Sequence, residues 1–101
     1  MLENYIERYL RRQAKPRGVL IYKWVSPAVR GVPDDLAFWP GGRVDCLELK
    51  TETGRLSKWQ EYQLDRLTAQ GVNCYVLAGK TDVDYYLMGV ADPWIPSDRT
   101  R

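Results

Sequence analysis

Residues 35–50 read DLAFWPGGRVDCLELK, and the rest of the predicted fold is arranged around them. The central Pro-Gly-Gly is a strong turn signal between two runs that are rich in strand-forming residues. The stretch therefore predicts a β-hairpin with strands over residues 35–39 and 43–50. Because side chains alternate between the two faces of a strand, Glu48 and Lys50 share one face of the second strand.

The charged pair at the end of the second strand requires an explanation. Glu48 and Lys50 share their face with Val44 and Cys46, which are both apolar. A half-buried carboxylate and ammonium at the end of such a strand are costly to desolvate. An ordinary salt bridge at the rim of the sheet explains the two residues when they are taken alone, because three-residue patterns recur by chance.

Outward from the hairpin, the chain alternates helical and extended patterns. Apolar residues recur at helical spacing near the N-terminus, and Ser57 with Gln60 has the form of a capping box that opens a second helix. The predicted elements are a helix over residues 2–14, a strand over 19–25, the hairpin, a helix from Ser57 to about Gln70, a strand over 73–79 and a short helix from Thr81, its cap, to about Gly89. This α-β-β-β-α-β order predicts an α/β fold in which a small mixed sheet is flanked by helices.

The composition restricts the chemistry. The 101 residues include no histidine, which excludes a Ser-His-Asp triad, a Cys-His pair and a His-ligated zinc site. Cys46 and Cys74 have no CxxC spacing and are expected to be reduced core residues. No run approaches the roughly 18 apolar residues of a membrane span, and the N-terminus does not resemble a signal peptide. We therefore expect a soluble cytoplasmic protein with one domain over residues 1–92 and a short tail over 93–101.

Charge is unevenly distributed along the chain. Residues 1–30 carry seven basic and two acidic residues, a net charge of +5, whereas residues 31–101 carry eight basic and eleven acidic residues, a net charge of −3. A basic region beside an acidic one suits a protein that binds a polyanion and also holds a cation. A solvated basic helix face is the alternative interpretation of the same pattern.

A second carboxylate is expected beside the charged pair. Residues 31–34 read GVPD, and Asp34 stands at the start of the hairpin's first strand. Because the two strands pair through the turn, Asp34 falls near the same end of the sheet as Glu48 and Lys50. Two carboxylates there could hold Mg²⁺, which accepts carboxylate, water and phosphate oxygens and requires no histidine. Lys50 could then orient a water or offset charge on a phosphoryl group.

These motifs resemble a known nuclease signature. The pair Pro33-Asp34 followed by Glu48-Leu-Lys50 resembles the PD-(D/E)XK pattern, and the wider sequence resembles the VRR-NUC branch of that superfamily in its stand-alone phage form. The resemblance runs from about residue 2 to residue 77 and includes the Gly-Gly turn, GRLSKWQ at 54–60 and GVNCYV at 71–76. It implies a restriction-endonuclease-like core and a metal-dependent endonuclease, with Mg²⁺ as cofactor and Mn²⁺ as a substitute.

The resemblance also implies five catalytic residues, which are Asp34, Glu48, Lys50, Gln60 and Glu3. The three carboxylates would bind the metal, the lysine would assist the nucleophile, and the glutamine would orient water or phosphate. Gln60 has a second interpretation as the residue that closes the capping box. Glu7, one turn after Glu3, is the alternative helix carboxylate, and both glutamates could simply complement the helix dipole.

One residue departs from the family pattern. The family usually has a basic residue directly after the aspartate of the GxPD motif, where this chain has Asp35. Strand alternation directs Asp35 away from Asp34, so we do not expect it to replace Asp34 as a ligand. Its negative charge could weaken the contact with phosphate at that position.

The candidates for contact with DNA are basic and lie in the first third of the chain: Arg11, Arg12, Lys15, Arg17, Arg30 and Lys23. Contacts with phosphates position a nucleic acid without reading its sequence. Lys23 could equally be a surface lysine whose stem covers apolar residues. Among the aromatic residues, Trp39 precedes the hairpin turn and is expected to be the one most exposed for contact with a base.

The family resemblance implies DNA as the substrate, with a preference for branched DNA such as a four-way junction. It also implies a homodimer, whose two-fold symmetry would match the two strands to be nicked. No organic cofactor and no membrane partner are expected, and a phage or prophage origin would place the protein in a bacterial host cell. The alternatives are a non-catalytic nucleic-acid-binding module with the same fold and a nuclease of linear or single-stranded DNA.

Overall fold

The computed structural model describes residues 2–96 and the side chains of residues 5–96. A 3₁₀ turn over Lys15–Arg17 follows the first helix. The helices and strands are α1 (Leu2–Ala14), β1 (Leu20–Lys23), β2 (Asp35–Phe38), β3 (Val44–Lys50), α2 (Lys58–Ala69), β4 (Cys74–Ala78) and α3 (Lys80–Met88). No helix in this part of the chain is long and apolar enough to cross a bilayer.

The four strands form one mixed sheet in the order β1-β2-β3-β4. β1 and β2 are antiparallel, as are β2 and β3, and the register of the hairpin pairs Asp35 with Leu47 and Phe38 with Val44. β4 runs parallel to β3, with Lys50 opposite Ala78, and α2 makes the crossover between them. The hairpin and the small mixed sheet that the sequence predicts are both confirmed.

Helices cover both faces of the sheet. On one face, Leu10 of α1 and Leu87 of α3 pack in a cluster with Leu47 of β3. On the other face, Leu64 of α2 packs against Cys46 and against the adjacent strand. The alternation predicted for β3 is therefore correct, because its neighbouring residues enter two different cores.

Three details differ from the sequence predictions. The first strand ends at Lys23 rather than at residue 25, and only the Trp24 N–H extends its pairing. α3 has Gly79 at its N-cap instead of Thr81, because the Asp82 side chain accepts a hydrogen bond from the main chain of β4. Trp39 is not an exposed contact, since it is half-buried and its indole N–H donates to the hydroxyl of Tyr86 at 2.6 Å.

Candidate active site

The predicted site residues of the hairpin converge at one end of the sheet. Asp34 directly precedes β2, and the register that pairs Asp35 with Leu47 brings it beside the last residues of β3. One oxygen of the Asp34 carboxylate accepts the main-chain N–H of Leu49 at 2.8 Å. This hydrogen bond fixes Asp34 against the strand that carries Glu48.

Glu48 and Lys50 form the buried part of this strand end. The side chain of Glu48 is 1% exposed and that of Lys50 is 12% exposed. The Lys50 ammonium lies 3.8 Å from Glu48 Oε2, so the two charges interact in a medium where water screens them poorly. The site therefore combines two carboxylates and one ammonium at a partly dehydrated edge of the sheet.

Gln60 closes the predicted capping box and also contacts Glu48. The side-chain Oε1 of Gln60 accepts the main-chain N–H of Ser57 at 2.8 Å. The main-chain N–H of Gln60 donates to Ser57 Oγ at 3.1 Å, which completes the capping box. The Nε2 of the same amide donates to Glu48 Oε2 at 2.9 Å. Because the cap uses the amide oxygen, the amide NH₂ group is directed at the carboxylate, and the start of α2 orients Glu48.

The loop that precedes Asp34 is held against the start of α2 by a glycine. Gly31 has a φ of +79°, a conformation that other residues rarely adopt. A Cβ atom at Gly31 would lie 2.7 Å from the main-chain carbon and oxygen of Trp59, which is closer than packed atoms approach. This glycine therefore allows the contact between the GVPD segment and α2 that places Asp34 near Gln60.

A second polar cluster lies on the α1 face of the same strand end. Asp35 is fully buried there, which confirms that it points away from Asp34. The Lys23 ammonium lies 3.0 Å from Glu7, and Arg11 lies 3.6 Å from Glu7 and 3.7 Å from Asp35. Burial, and after it a hydrogen bond with Glu7, raises the pKa of Asp35 to about 8.

This cluster was not predicted from the sequence, although two signals were available. Glu7 and Arg11 are one helical turn apart, and strand alternation sends Asp35 to the face that α1 covers. The hydrogen bond with Glu7 raises the pKa of Lys23, and the charges of Asp35 and Asp34 raise it further. Glu3 lies outside the residues whose side chains are described, so its role stays a prediction.

The basic residues predicted to contact DNA divide into two groups. Arg11 donates to the main-chain oxygen of Ile21 at 2.6 Å and Lys23 pairs with Glu7, so both have partners within the fold. The other four are exposed at the surface: Arg12, Lys15, Arg17 and Arg30. Their contact with DNA stays a prediction, and their exposure is compatible with it.

The donor set of the site suits a hard divalent cation. Asp34 and Glu48 offer carboxylate oxygens at one strand end, and Mg²⁺ is commonly held by one or two carboxylates with water and phosphate oxygens. Among the described residues there is no group of three or more histidine, cysteine, aspartate or glutamate side chains placed to hold an ion. The fit therefore rests on two protein carboxylates, with water and substrate supplying the other ligands.

Comparison with known proteins gives the family. No family model matches the chain. A protein of Acyrthosiphon pisum secondary endosymbiont phage 1, described as "Putative nuclease p44", is 36% identical over 75 residues, which cover 74% of this chain and 81% of that protein. A solved structure described as "VRR_NUC domain" superimposes with a TM-score of 0.81 at 23% identity, over 88% of this chain and 97% of the other. The chain belongs to the VRR-NUC family.

The structural match of this VRR-NUC protein covers nearly the whole of the compared domain. It confirms the restriction-endonuclease-like α/β fold that the motifs predicted. The fold brings Asp34, Glu48, Lys50 and Gln60 together at one end of β3.

Proposed function

We propose that this VRR-NUC protein is a metal-dependent endonuclease that hydrolyses phosphodiester bonds of DNA. The observation that carries the proposal is the convergence of Asp34, Glu48 and Lys50 at one strand end, with the Gln60 amide on Glu48. The phage relative that is described as a nuclease supports the same activity.

In the proposed mechanism, Asp34 and Glu48 would hold the ion, and water and a substrate phosphate would supply its other ligands. When bound there, Mg²⁺ supplies a Lewis acid for the phosphoryl oxygens and lowers the pKa of a water. Lys50 orients the attacking water or offsets the charge that develops on the phosphorus centre. Gln60 is a positioning residue, because its hydrogen bond fixes the Glu48 carboxylate and its own orientation is fixed by the cap.

A binding-only module is the weaker candidate. Glu48 is nearly fully buried, and burying a carboxylate costs free energy that a fold can avoid with an apolar residue. A module that only binds DNA has no need for a second carboxylate at the same strand end. A catalytic role accounts for the placement of both Asp34 and Glu48.

We propose branched DNA, such as a four-way junction, as the preferred substrate of a homodimer. A symmetric dimer places two active sites so that two strands related by the same symmetry can be nicked. The exposed arginines of the N-terminal third offer contacts with the DNA backbone. Sedimentation velocity should give the mass of two chains, and a single-chain mass at the concentrations of the assay would exclude the dimer.

The test of the nuclease proposal is a substrate panel with the purified protein. Labelled four-way junction, flap, duplex and single-stranded DNA are incubated with EDTA, Mg²⁺ or Mn²⁺. We expect cleavage only with a divalent ion, and faster cleavage of the junction than of the duplex. A preference for linear or single-stranded DNA would retain the nuclease activity and exclude the junction preference.

The matched variants are Asp34→Ala and Asp92→Ala. Asp92 is exposed and lies near the opposite end of β4, so its removal should leave cleavage unchanged. Asp34→Ala should abolish cleavage and retain junction binding in a gel-shift assay. Cleavage by Asp34→Ala at the wild-type rate would exclude the proposed site.

A further inference from the structure

A cavity lies along α2, the helix that also carries Gln60. It has a volume of about 390 Å³, within the range of small-molecule sites, and opens between the loop that follows β1 and the second half of α2. Its lining includes Trp24, Ser26, Val32, Gln63, Arg66 and Leu67. None of the residues assigned to catalysis lines it, so it is a separate feature of the fold.

The side chain of Gln63 supplies a polar group to this cavity. Gln63 is only 8% exposed, and it lines the cavity. Its side-chain amide has no hydrogen bond to another described residue and is not among the buried polar atoms that lack a partner, so water in the cavity reaches it. An amide that faces a cavity can exchange this water for a ligand without breaking a hydrogen bond of the fold. A ligand that presents both a donor and an acceptor would satisfy this amide.

The rest of the lining suits a flat, aromatic and polar ligand. Trp24 offers a ring on which another ring can stack, and Val32 with Leu67 adds apolar surface. Arg66 supplies a positive charge at the cavity and is held by the Tyr62 hydroxyl at 3.1 Å. Stacking on an aromatic ring, hydrogen bonding to an amide and a nearby cation for phosphate together form the recognition chemistry of a nucleobase on its backbone.

Two of the residues that line the cavity are close to residues of the candidate active site. The Trp24 N–H donates to the main-chain oxygen of Asp34 at 2.9 Å, so the aromatic wall and the aspartate are neighbours across the sheet. Gln63 follows Gln60 by three residues on α2, a rise of about 4.5 Å along the helix. A base bound in the cavity would therefore lie next to a phosphate held at Asp34 and Glu48.

From these observations we propose that the cavity binds an unpaired nucleobase next to the phosphodiester that is cleaved. The proposal rests on the nuclease function above and specifies its substrate, which is DNA with an unpaired base at the cleavage position. A base in a continuous duplex is stacked and paired, and its Watson–Crick edge cannot reach Gln63. Bulges and single-stranded branches supply unpaired bases without the cost of extruding one from a helix.

Base binding is tested without metal, so that cleavage plays no part. The probe is a DNA duplex with one unpaired 2-aminopurine, whose fluorescence falls when the base stacks. In EDTA, the wild type should quench it and bind it more tightly than the fully paired duplex. Gln63→Leu should weaken binding of this probe by about tenfold, which corresponds to one lost hydrogen bond in a buried site. Its affinity for the paired duplex should not change.

Two controls separate a binding role from a structural one. Gln63→Leu removes no hydrogen bond within the fold, so its unfolding temperature should equal or exceed that of the wild type. Gln13→Leu changes a half-buried glutamine on α1, away from the cavity, and should bind the probe like the wild type. Ala69→Phe, which adds bulk at the cavity lining, should reproduce the loss seen in Gln63→Leu.

The failure of this proposal is distinguishable from the failure of the nuclease proposal. Equal binding of the bulged probe by wild type and Gln63→Leu, with both proteins folded, would overturn the base site. If Mg²⁺ supports equal cleavage of bulged and paired DNA by both proteins, the nuclease stands and the base site is wrong. If no DNA is cleaved but the bulged probe still binds through Gln63, the base site stands and the nuclease activity is wrong.

Discussion

Two buried carboxylates stand three residues apart on β3 and have different surroundings. Asp45 is fully buried on the α1 and α3 face, where its Oδ2 accepts the Tyr86 hydroxyl at 2.5 Å and Arg43 Nε at 3.1 Å. Glu48 is equally buried on the α2 face, where it meets the Gln60 amide and lies 3.8 Å from the Lys50 ammonium. Asp45 lies at the hairpin end of β3, and Glu48 lies towards the opposite end.

The difference shows that burial alone does not identify a functional carboxylate. The partners of Asp45 belong to the core, since Tyr86 in turn accepts a hydrogen bond from Trp39 and packs against Tyr75. Burial, and after it the hydrogen bond to Asp45, raises the pKa of Tyr86, so its hydroxyl stays protonated as a donor. Glu48 instead shares its end of the sheet with Asp34, a second carboxylate. We therefore propose that Asp45 stabilises the fold and that Glu48 acts in catalysis.

The largest expected effect on stability is at Asp45. Asp45→Ala leaves the Tyr86 hydroxyl and the Arg43 guanidinium without their carboxylate, and we expect it to lower the free energy of unfolding by about 3 kcal/mol. Denaturant unfolding followed by circular dichroism measures the loss. Glu48→Gln, which keeps the shape of the side chain, should change stability by less than about 1 kcal/mol. Equal losses in the two variants would remove the distinction between the two carboxylates.

A smaller effect is expected at the loop that carries Asp34. Gly31→Ala imposes a positive φ on alanine and a contact with the main chain of Trp59, and should lower the free energy of unfolding by about 2 kcal/mol. Because the contact with Trp59 would displace the GVPD segment, which carries Asp34, DNA cleavage should also fall at temperatures where the variant is folded. Gly41→Ala, at the open hairpin turn, has the same strain of φ without the contact and should leave cleavage intact.

The capping box of α2 should contribute less to the stability of the protein than Gly31 does. Ser57→Ala removes the hydroxyl that accepts the Gln60 N–H and should lower stability by about 1 kcal/mol. The main-chain N–H of Ser57 remains to hold the Gln60 amide, so cleavage should be nearly unchanged. Thermal unfolding and the cleavage rate are measured on the same sample. A large loss of cleavage with little loss of stability would show that the Ser57 hydroxyl itself acts in the site.

A separate effect concerns the dependence of stability on pH. The pKa of Asp35 is raised to about 8 from 3.8, so between these values the folded state binds more protons than the unfolded state. Stability should therefore fall as the pH rises from about 4 to about 8. The charged groups that face Asp35 are Glu7, Arg11 and Lys23. Asp35→Asn should flatten this fall in thermal unfolding scans in EDTA. An identical pH profile for Asp35→Asn and the wild type would show that Asp35 does not hold the proton.

Much of the candidate site could be predicted because its residues are local to the hairpin. The Pro-Gly-Gly turn sets the pairing, the pairing sets the register, and the register brings Asp34 to Glu48 and Lys50. Strand alternation also placed Asp35 on the opposite face correctly.

Other features depend on contacts between distant segments, which leave no local signal. The partners of Asp45 come from α3, 41 residues away, and the cavity at Gln63 forms only when the loop after β1 packs on α2. Gly79 rather than Thr81 caps α3 because Asp82 reaches the main chain of β4. Trp39 was wrongly expected at the surface, since its partner Tyr86 is 47 residues away.

The most direct test compares single-turnover cleavage of the preferred DNA by Glu48→Gln and Asp45→Ala in Mg²⁺, at a temperature where both are folded. Loss of a carboxylate that holds the ion should slow Glu48→Gln by about 10³-fold or more. Asp45→Ala should cleave within a few-fold of the wild type. Cleavage by Glu48→Gln at the wild-type rate would contradict the assignment of this strand end as the active site.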